Sequence, residues 1–346
     1  MRQLHFIGPR RAEWVEAPEP QLTTNVGAIV EPIAVSSCDM DAVALSGRIR
    51  FRSGTPLGHE GVGVVVEVAD GVTTCSPGDT VIIPWQISCG TCPRCRRGQD
   101  TFCTTVPPGS CYGWGPHVQR WGGFLADRFE VPYADHMLVP LPEGMDPVHA
   151  SGIGDNLVDA WRTVGPPLVD TGGGRVLVVG GVVPDGGSIG IYAVAFARGL
   201  EADDVVFVSP DAHLRDLARE CGARVVAAAG VDGDLGSFDV TVDASGTADG
   251  LALALRSTGP GGVCTCTAGA VHRGQPVPVP VYEMYMNVVT FRTGWVHTRA
   301  LLEAPLALIA NGLFDPTVPA TIYGFEDVVD ALAQPFTKLI FTRQSR

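Results

Sequence analysis

Four cysteines within fifteen residues, Cys89-x2-Cys92-x2-Cys95-x7-Cys103, constrain this chain more than any hydrophobic pattern in it. They lie in a stretch from Gln86 to about Gly123 that is dense in Cys, Gly, Pro and Arg and carries no helical or strand period. Such a segment needs something other than a hydrophobic core to hold it. Four thiolates at this spacing suit one tetrahedral Zn2+ with no position left open for water or substrate, which makes the site structural. An iron–sulfur cluster is the main rival, because x2 intervals also suit cubane ligation, but no second cluster motif accompanies this one. Cys111, farther along, is the weaker candidate for fourth ligand.

On either side of that loop the chain has two styles. From Met1 to about Val81 it reads as short strands punctuated by Gly and Pro, ending in the apolar run Val62–Val68 and a turn at Ser76-Pro77-Gly78-Asp79. A helical pattern starts near Pro147 and runs through Asp155 and Trp161. Beyond it strands and helices alternate: strands at Arg175–Val179 and Asp204–Val208, helices over Ile189–Gly199 and Ala212–Cys221, further strands at Phe238–Val242 and Gly262–Cys266 with a helix over Thr247–Ser257 between them, a helix over Ala300–Asn311, and a last strand at Lys338–Phe341. Alternating βαβ order means a parallel sheet with helices on its faces, so the expected class is α/β with a β-rich companion domain. A chain of 346 residues, 45% hydrophobic and 18% charged, has the material for two buried cores.

A formal net charge of −13 argues against nucleic acid and against anionic membranes, both of which call for basic surface. The start lacks a signal-peptide apolar segment and no window approaches a membrane span, so a cytoplasmic protein acting on small molecules is expected. In that compartment the ten cysteines stay reduced, which again favours metal over disulfides.

Two further stretches carry chemistry. Gly58-His59-Glu60 sets an imidazole and a carboxylate side by side before an apolar run. Alone, such a pair is more often a surface ion pair or a satisfied core histidine, but Cys38 lies upstream as a possible co-ligand. Later, Gly180-Gly181 closes a strand and Gly187-Ser188-Ile189-Gly190 opens the following helix, where a dinucleotide pyrophosphate sits against backbone amides. The spacing is irregular, since Val182–Gly186 intervene. At the end of the second strand, where an acid holds the ribose diol of NAD, the chain has Ser209 and Asp211 with Arg215 beyond. A hydroxyl with a nearby guanidinium suits a 2′-phosphate, so NADP(H) is expected over NAD(H), which Asp211 keeps possible.

Taken together, Cys38 with Asp41, Gly58-His59-Glu60, the Cys89/Cys92/Cys95/Cys103 loop, the later βαβ unit and the closing strand resemble the zinc-containing alcohol dehydrogenases of the medium-chain dehydrogenase/reductase superfamily over essentially the whole chain. The resemblance implies a GroES-like catalytic domain at 1–157 and 295–346, with a structural-zinc loop at 86–123, and a Rossmann domain at 158–294. It implies a homodimer or homotetramer with two zincs per chain, the catalytic one held by Cys38, His59 and a third ligand from the helix before the Rossmann domain. Asp155 is the only suitable donor there, which is similar to the formaldehyde-dehydrogenase-like branch. Glu60 could approach the open position, and Lys338 resembles a family position that contacts the cofactor phosphates.

The expected reaction is hydride transfer between NAD(P)(H) and an alcohol, aldehyde or ketone. Many relatives carry a proton relay just after the first cysteine ligand, yet the corresponding positions here are Met40 and Val43, which cannot move a proton. Direct exchange with water, or a relay through Asp39, Asp41 or Glu60, is left. Two other readings follow: a family-fold enzyme reducing a double bond or assisting a rearrangement, and a non-catalytic zinc scaffold.

Overall fold

In the computed structural model, which describes residues 1–181, 186–227, 235–269 and 276–343, the strands segregate as the two sequence styles require. The alternating half forms a six-stranded parallel sheet in the order Arg224–Val226, Asp204–Val208, Arg175–Val179, Phe238–Asp243, Thr258–Cys266, Thr290–Thr293. Numbered by sequence this is 3-2-1-4-5-6, the doubly wound order of a dinucleotide-binding fold. Its near-continuous apolar strands are buried on both faces: Val176, Leu177, Val178, Val206, Phe207 and Val240 are all inaccessible.

The β-rich half forms a mixed sheet in which Lys338–Thr342 pairs antiparallel with Ala28–Ser36, which pairs antiparallel with Glu60–Val68, followed by Thr80–Ile83 and Val139–Pro140. The chain divides into one unit of Met1–Val158 with Val296–Arg346 and a second of Asp159–Trp295. Among the described residues no helix is long and apolar enough to cross a membrane.

Three expectations need correction. The four-cysteine loop is held by more than sulfur: Ile87, Val106, Tyr112, Trp121 and Phe124 belong to the core of the first unit. Phe124 stacks on Phe129 at 4.3 Å, and the Tyr112 hydroxyl donates to the Glu130 carbonyl at 2.7 Å. Irregularly spaced apolar residues leave no periodic signal, though each buries as much surface as a periodic one.

The helix expected from Pro147 through Trp161 is instead two, Pro147–Ala150 and Asn156–Thr171, with a turn between that ends on Asp155. Gly154 lets that turn pack closely, because a Cβ there would stand 2.5 Å from the Ile83 carbonyl oxygen. Gly154→Ala should therefore push the turn off that strand and cost about 1–3 kcal/mol. Urea unfolding measures it, and a wild-type midpoint would refute the packing argument. Likewise the helix expected over Ala300–Asn311 is split into Thr298–Leu301 and Glu303–Ala310.

Candidate active site

Three side chains from separate elements of the first unit converge. Cys38 caps the helix Asp39–Leu45: its Sγ accepts the Asp41 N–H at 3.3 Å, and Asp41 Oδ2 accepts the Cys38 N–H at 3.0 Å, a reciprocal capping box. His59 immediately precedes the strand Glu60–Val68, which Glu60 begins, and Asp155 ends the turn before Asn156–Thr171. Cys38, His59 and Asp155 each bring a ligand atom within 4.8 Å of the other two.

His59 Nε2 stands 3.4 Å from Asp155 Oδ2. Two such donors sharing one tetrahedral Zn2+ lie roughly 3.4 Å apart, so the spacing fits a common ion. His59 Nδ1, buried and without a hydrogen bond, faces Asp41 Oδ1 at 3.7 Å, the arrangement by which a carboxylate orients a metal-ligating imidazole.

The electrostatics agree. Burial pushes the Cys38 thiol far up, and the nearby carboxylates of Asp41, Asp155 and Glu60 push it further. Burial would lower His59, but Asp41 and Asp155 outweigh it and raise the imidazole to about 9. A dry pocket that disfavours a thiolate and favours an imidazolium has an excess of negative charge, which a divalent cation neutralises.

Both carboxylate oxygens of Glu60 are engaged by residues outside the Cys38, His59 and Asp155 cluster. Glu60 is fully buried; its Oε1 pairs with the Lys338 ammonium, itself 1% exposed, and its Oε2 accepts the Asn156 N–H at 2.9 Å. Burial raises the Glu60 carboxyl, and Lys338 opposes that rise. Lys338, the first residue of the strand Lys338–Thr342, is thus buried against Glu60. Met40 is half-buried and Val43 buried, so neither position hosts a proton carrier.

Cys89, Cys92, Cys95 and Cys103 also converge, with all four sulfurs within 4.8 Å of one another. Cys92 Sγ lies 3.5 Å from Cys95 Sγ and 4.0 Å from Cys103 Sγ, bracketing the roughly 3.8 Å of four sulfurs around one zinc. The Cys92 N–H donates to Cys89 Sγ at 3.4 Å, the Cys95 N–H donates to Cys92 Sγ at 3.5 Å, and the Thr105 hydroxyl lies 3.0 Å from Cys89 Sγ. Burial works against ionisation, yet such donors win at Cys89 and at Cys92, which is lowered to about 5. None of the ten cysteines is in a disulfide, and Cys111 lies outside the four-sulfur group. Asp100 and His136, paired at 3.2 Å, bring ligand atoms up to Cys95; no local spacing signals them.

In the second unit, Gly180 and Gly181 follow the strand Arg175–Val179, and Gly187, in a left-handed conformation, caps the helix Ser188–Gly199 that holds Ser188, Ile189 and Gly190. A Cβ on Gly180 would stand 2.3 Å from the Phe207 ring and one on Gly187 2.8 Å from Leu214, the close strand–helix packing that a dinucleotide-binding turn needs. Residues 182–185 of the intervening stretch lie outside the described residues. Ser209 is buried and its hydroxyl donates to the Gly181 carbonyl at 3.0 Å; Asp211 caps the helix Ala212–Glu220 through the Leu214 N–H. Arg215 Nη1 donates to the Ser209 carbonyl at 2.6 Å, so it is a half-buried, anchored residue rather than a freely solvated one.

A β-rich unit carrying the Cys/His/Asp cluster and a four-cysteine loop, together with a unit built on a doubly wound parallel sheet, has the parts of a zinc-dependent dehydrogenase. Comparison with known proteins makes that specific. Residues 25–143 match the model of the alcohol dehydrogenase GroES-like domain and residues 188–311 that of the zinc-binding dehydrogenases. The chain is 29% identical over 316 residues to the Mycobacterium tuberculosis protein named "Probable zinc-binding alcohol dehydrogenase", covering 87% of this chain and 78% of that one. It is 30% identical over 218 residues to the glutathione-independent formaldehyde dehydrogenase of Pseudomonas aeruginosa, covering 59% of this chain and 53% of that one. Among solved structures, the alcohol dehydrogenase TADH from Thermus sp. ATN1 superposes with a TM-score of 0.87 at 26% identity, over 99% of this chain and 100% of the other.

The chain belongs to the zinc-containing alcohol dehydrogenase family of the medium-chain dehydrogenase/reductase superfamily. It is an NAD(P)-dependent oxidoreductase that interconverts alcohols and carbonyl compounds.

Proposed function

We propose that Cys38, His59 and Asp155 hold the catalytic zinc and that Cys89, Cys92, Cys95 and Cys103 hold the structural one. The observation that carries the first assignment is the 3.4 Å approach of His59 Nε2 to Asp155 Oδ2 in a buried, carboxylate-rich pocket. When bound, zinc supplies Lewis acidity that favours the alkoxide form of the alcohol, and the nicotinamide carries the hydride.

The chain's own residues hold and orient. Asp41 turns His59 so that Nε2 faces the cluster, where Cys38, His59 and Asp155 would hold the ion and leave it accessible to the substrate oxygen. Asp41 and Glu60 are buried with both carboxylate oxygens engaged, so they serve as positioning residues. With both oxygens of Asp41 and Glu60 engaged and Met40 and Val43 unable to carry a proton, the alcohol proton would pass directly to solvent water. Metal analysis tests the assignment: two zincs per chain are expected, and a wild type with one would refute it.

For the cofactor we propose NADP(H) over NAD(H), on the strength of Arg215, whose anchoring to the Ser209 carbonyl holds a guanidinium at the end of the second strand. Arg215→Ala is expected to lower kcat/KM with NADP(H) about 10–100-fold, the worth of one charge-assisted hydrogen bond, and to leave NAD(H) turnover much closer to wild type. Initial rates with both cofactors measure this; equal losses would count against the assignment. We further assign catalysis to the unit 1–158 with 296–346 and cofactor binding to 159–295.

A further inference from the structure

A single hydrogen bond ties the Trp114 indole to the metal-ligating cluster. Its Nε1–H donates at 3.1 Å to Asp41 Oδ1, the same oxygen that stands 3.7 Å from His59 Nδ1. Through its other oxygen Asp41 accepts the Cys38 N–H at 3.0 Å. One buried carboxylate therefore meets the ring of one ligand and the backbone of another, and Trp114 determines how that carboxylate is turned.

Trp114 is itself held in place. A Cβ on the preceding Gly113 would stand 2.8 Å from the Gly58 carbonyl oxygen and 3.1 Å from His59 Cβ, so only glycine lets the 112–114 segment approach the histidine this closely. Phe51 packs against the indole at 4.6 Å between ring centroids, and the indole meets the His59 ring edge-on at 6.4 Å. Without the indole donor, Asp41 Oδ1 would be left buried with only the histidine to face, and the carboxylate would be free to rotate.

We infer that Trp114 is a positioning residue of the catalytic metal site: by donating to Asp41 it sets the orientation of His59 and Cys38 toward zinc, and its indole reports whether zinc is bound. The inference rests on the reading of Cys38, His59 and Asp155 as zinc ligands. Partners that orient a metal-bound histidine carry about 10–100-fold in metal affinity, and Trp114 stands one bond farther out, at the lower end of that range.

The test compares wild-type protein with Trp114→Phe, which keeps an aromatic wall and loses the donor, and Phe51→Leu, which loses the ring contact and keeps the donor. Zinc affinity is read by competition with a chelator, and occupancy by tryptophan emission. Trp114→Phe is expected to weaken the catalytic site about tenfold, to leave the four-cysteine zinc in place, and to reduce the emission change that accompanies catalytic-zinc removal to the part that comes from Trp85, whose ring lies 5.9 Å from that of His59. Phe51→Leu should bind zinc as wild type does. Unchanged zinc affinity in Trp114→Phe, with an effect on substrate KM alone, would overturn the inference and leave the indole as a pocket wall. An equal loss in Phe51→Leu would overturn it too, by assigning the effect to packing. Cys38→Ser separates the two levels: two zincs in wild type and one in Cys38→Ser with Trp114→Phe unaffected sinks this inference alone, whereas a wild type holding a single zinc that Cys38→Ser retains sinks the ligand reading and this inference with it.

Discussion

In Cys38→Ser the zinc content is expected to fall from two ions per chain to one while kcat/KM falls at least about 1,000-fold, because the Lewis-acid contribution to the barrier is several kcal/mol. The surviving ion belongs to the four cysteines, whose sulfurs are a separate group with their own N–H and hydroxyl donors. Elemental analysis alongside steady-state rates reads both effects at once. A variant that keeps two zincs would mean that Cys38 is not a ligand, and one that loses both would mean that the two sites are not independent.

The second large effect concerns stability. Lys338 and Glu60 are buried at 1% and 0% exposure and pair with each other. Lys338→Met removes the counter-charge and leaves Glu60 dry, which should destabilise the protein by about 3–5 kcal/mol. Adding Glu60→Gln should recover most of that loss, since a pair removed together leaves no uncompensated charge. Chemical denaturation of the wild type, both single variants and the double variant closes the cycle. A double variant no more stable than Lys338→Met would show that the pair contributes through something other than its charges.

What was legible in the sequence was local. The four cysteines, the adjacent Gly58-His59-Glu60, and the strand–helix alternation from Arg175 onward declare themselves within short windows, because metal-ligand spacing and secondary-structure period are short-range properties. The parallel sheet follows the alternation closely: the strand expected at Arg175–Val179 has those bounds, and the helix expected from Ile189 starts at Ser188. Asp155 is reachable as the lone donor in its segment, but the turn on which it sits is not, since that turn packs Gly154 against the carbonyl of Ile83, far off in sequence. The partners of the site were equally hidden. Lys338 reaches Glu60 across 278 positions and Trp114 reaches Asp41 across 73. Nothing in the neighbourhood of either tryptophan or lysine distinguishes it from a core ring or a solvated cation. The Asp100–His136 pair beside Cys95 was missed for the same reason.

The pairing of Lys338–Thr342 with Ala28–Ser36 also dictates an order of events during synthesis. Ala28–Ser36 lies between Glu60–Val68 and the late strand, so while residues 159–295 emerge and can form their own parallel sheet, the earlier unit waits with one strand edge unpaired and Glu60 without its cation. Contacts closed over 300 positions are slow to find, and an open edge beside an apolar core is where nascent chains associate wrongly. The inserted unit can form before the strand Lys338–Thr342 has been made, whereas the metal-binding unit can be completed only after that strand has emerged.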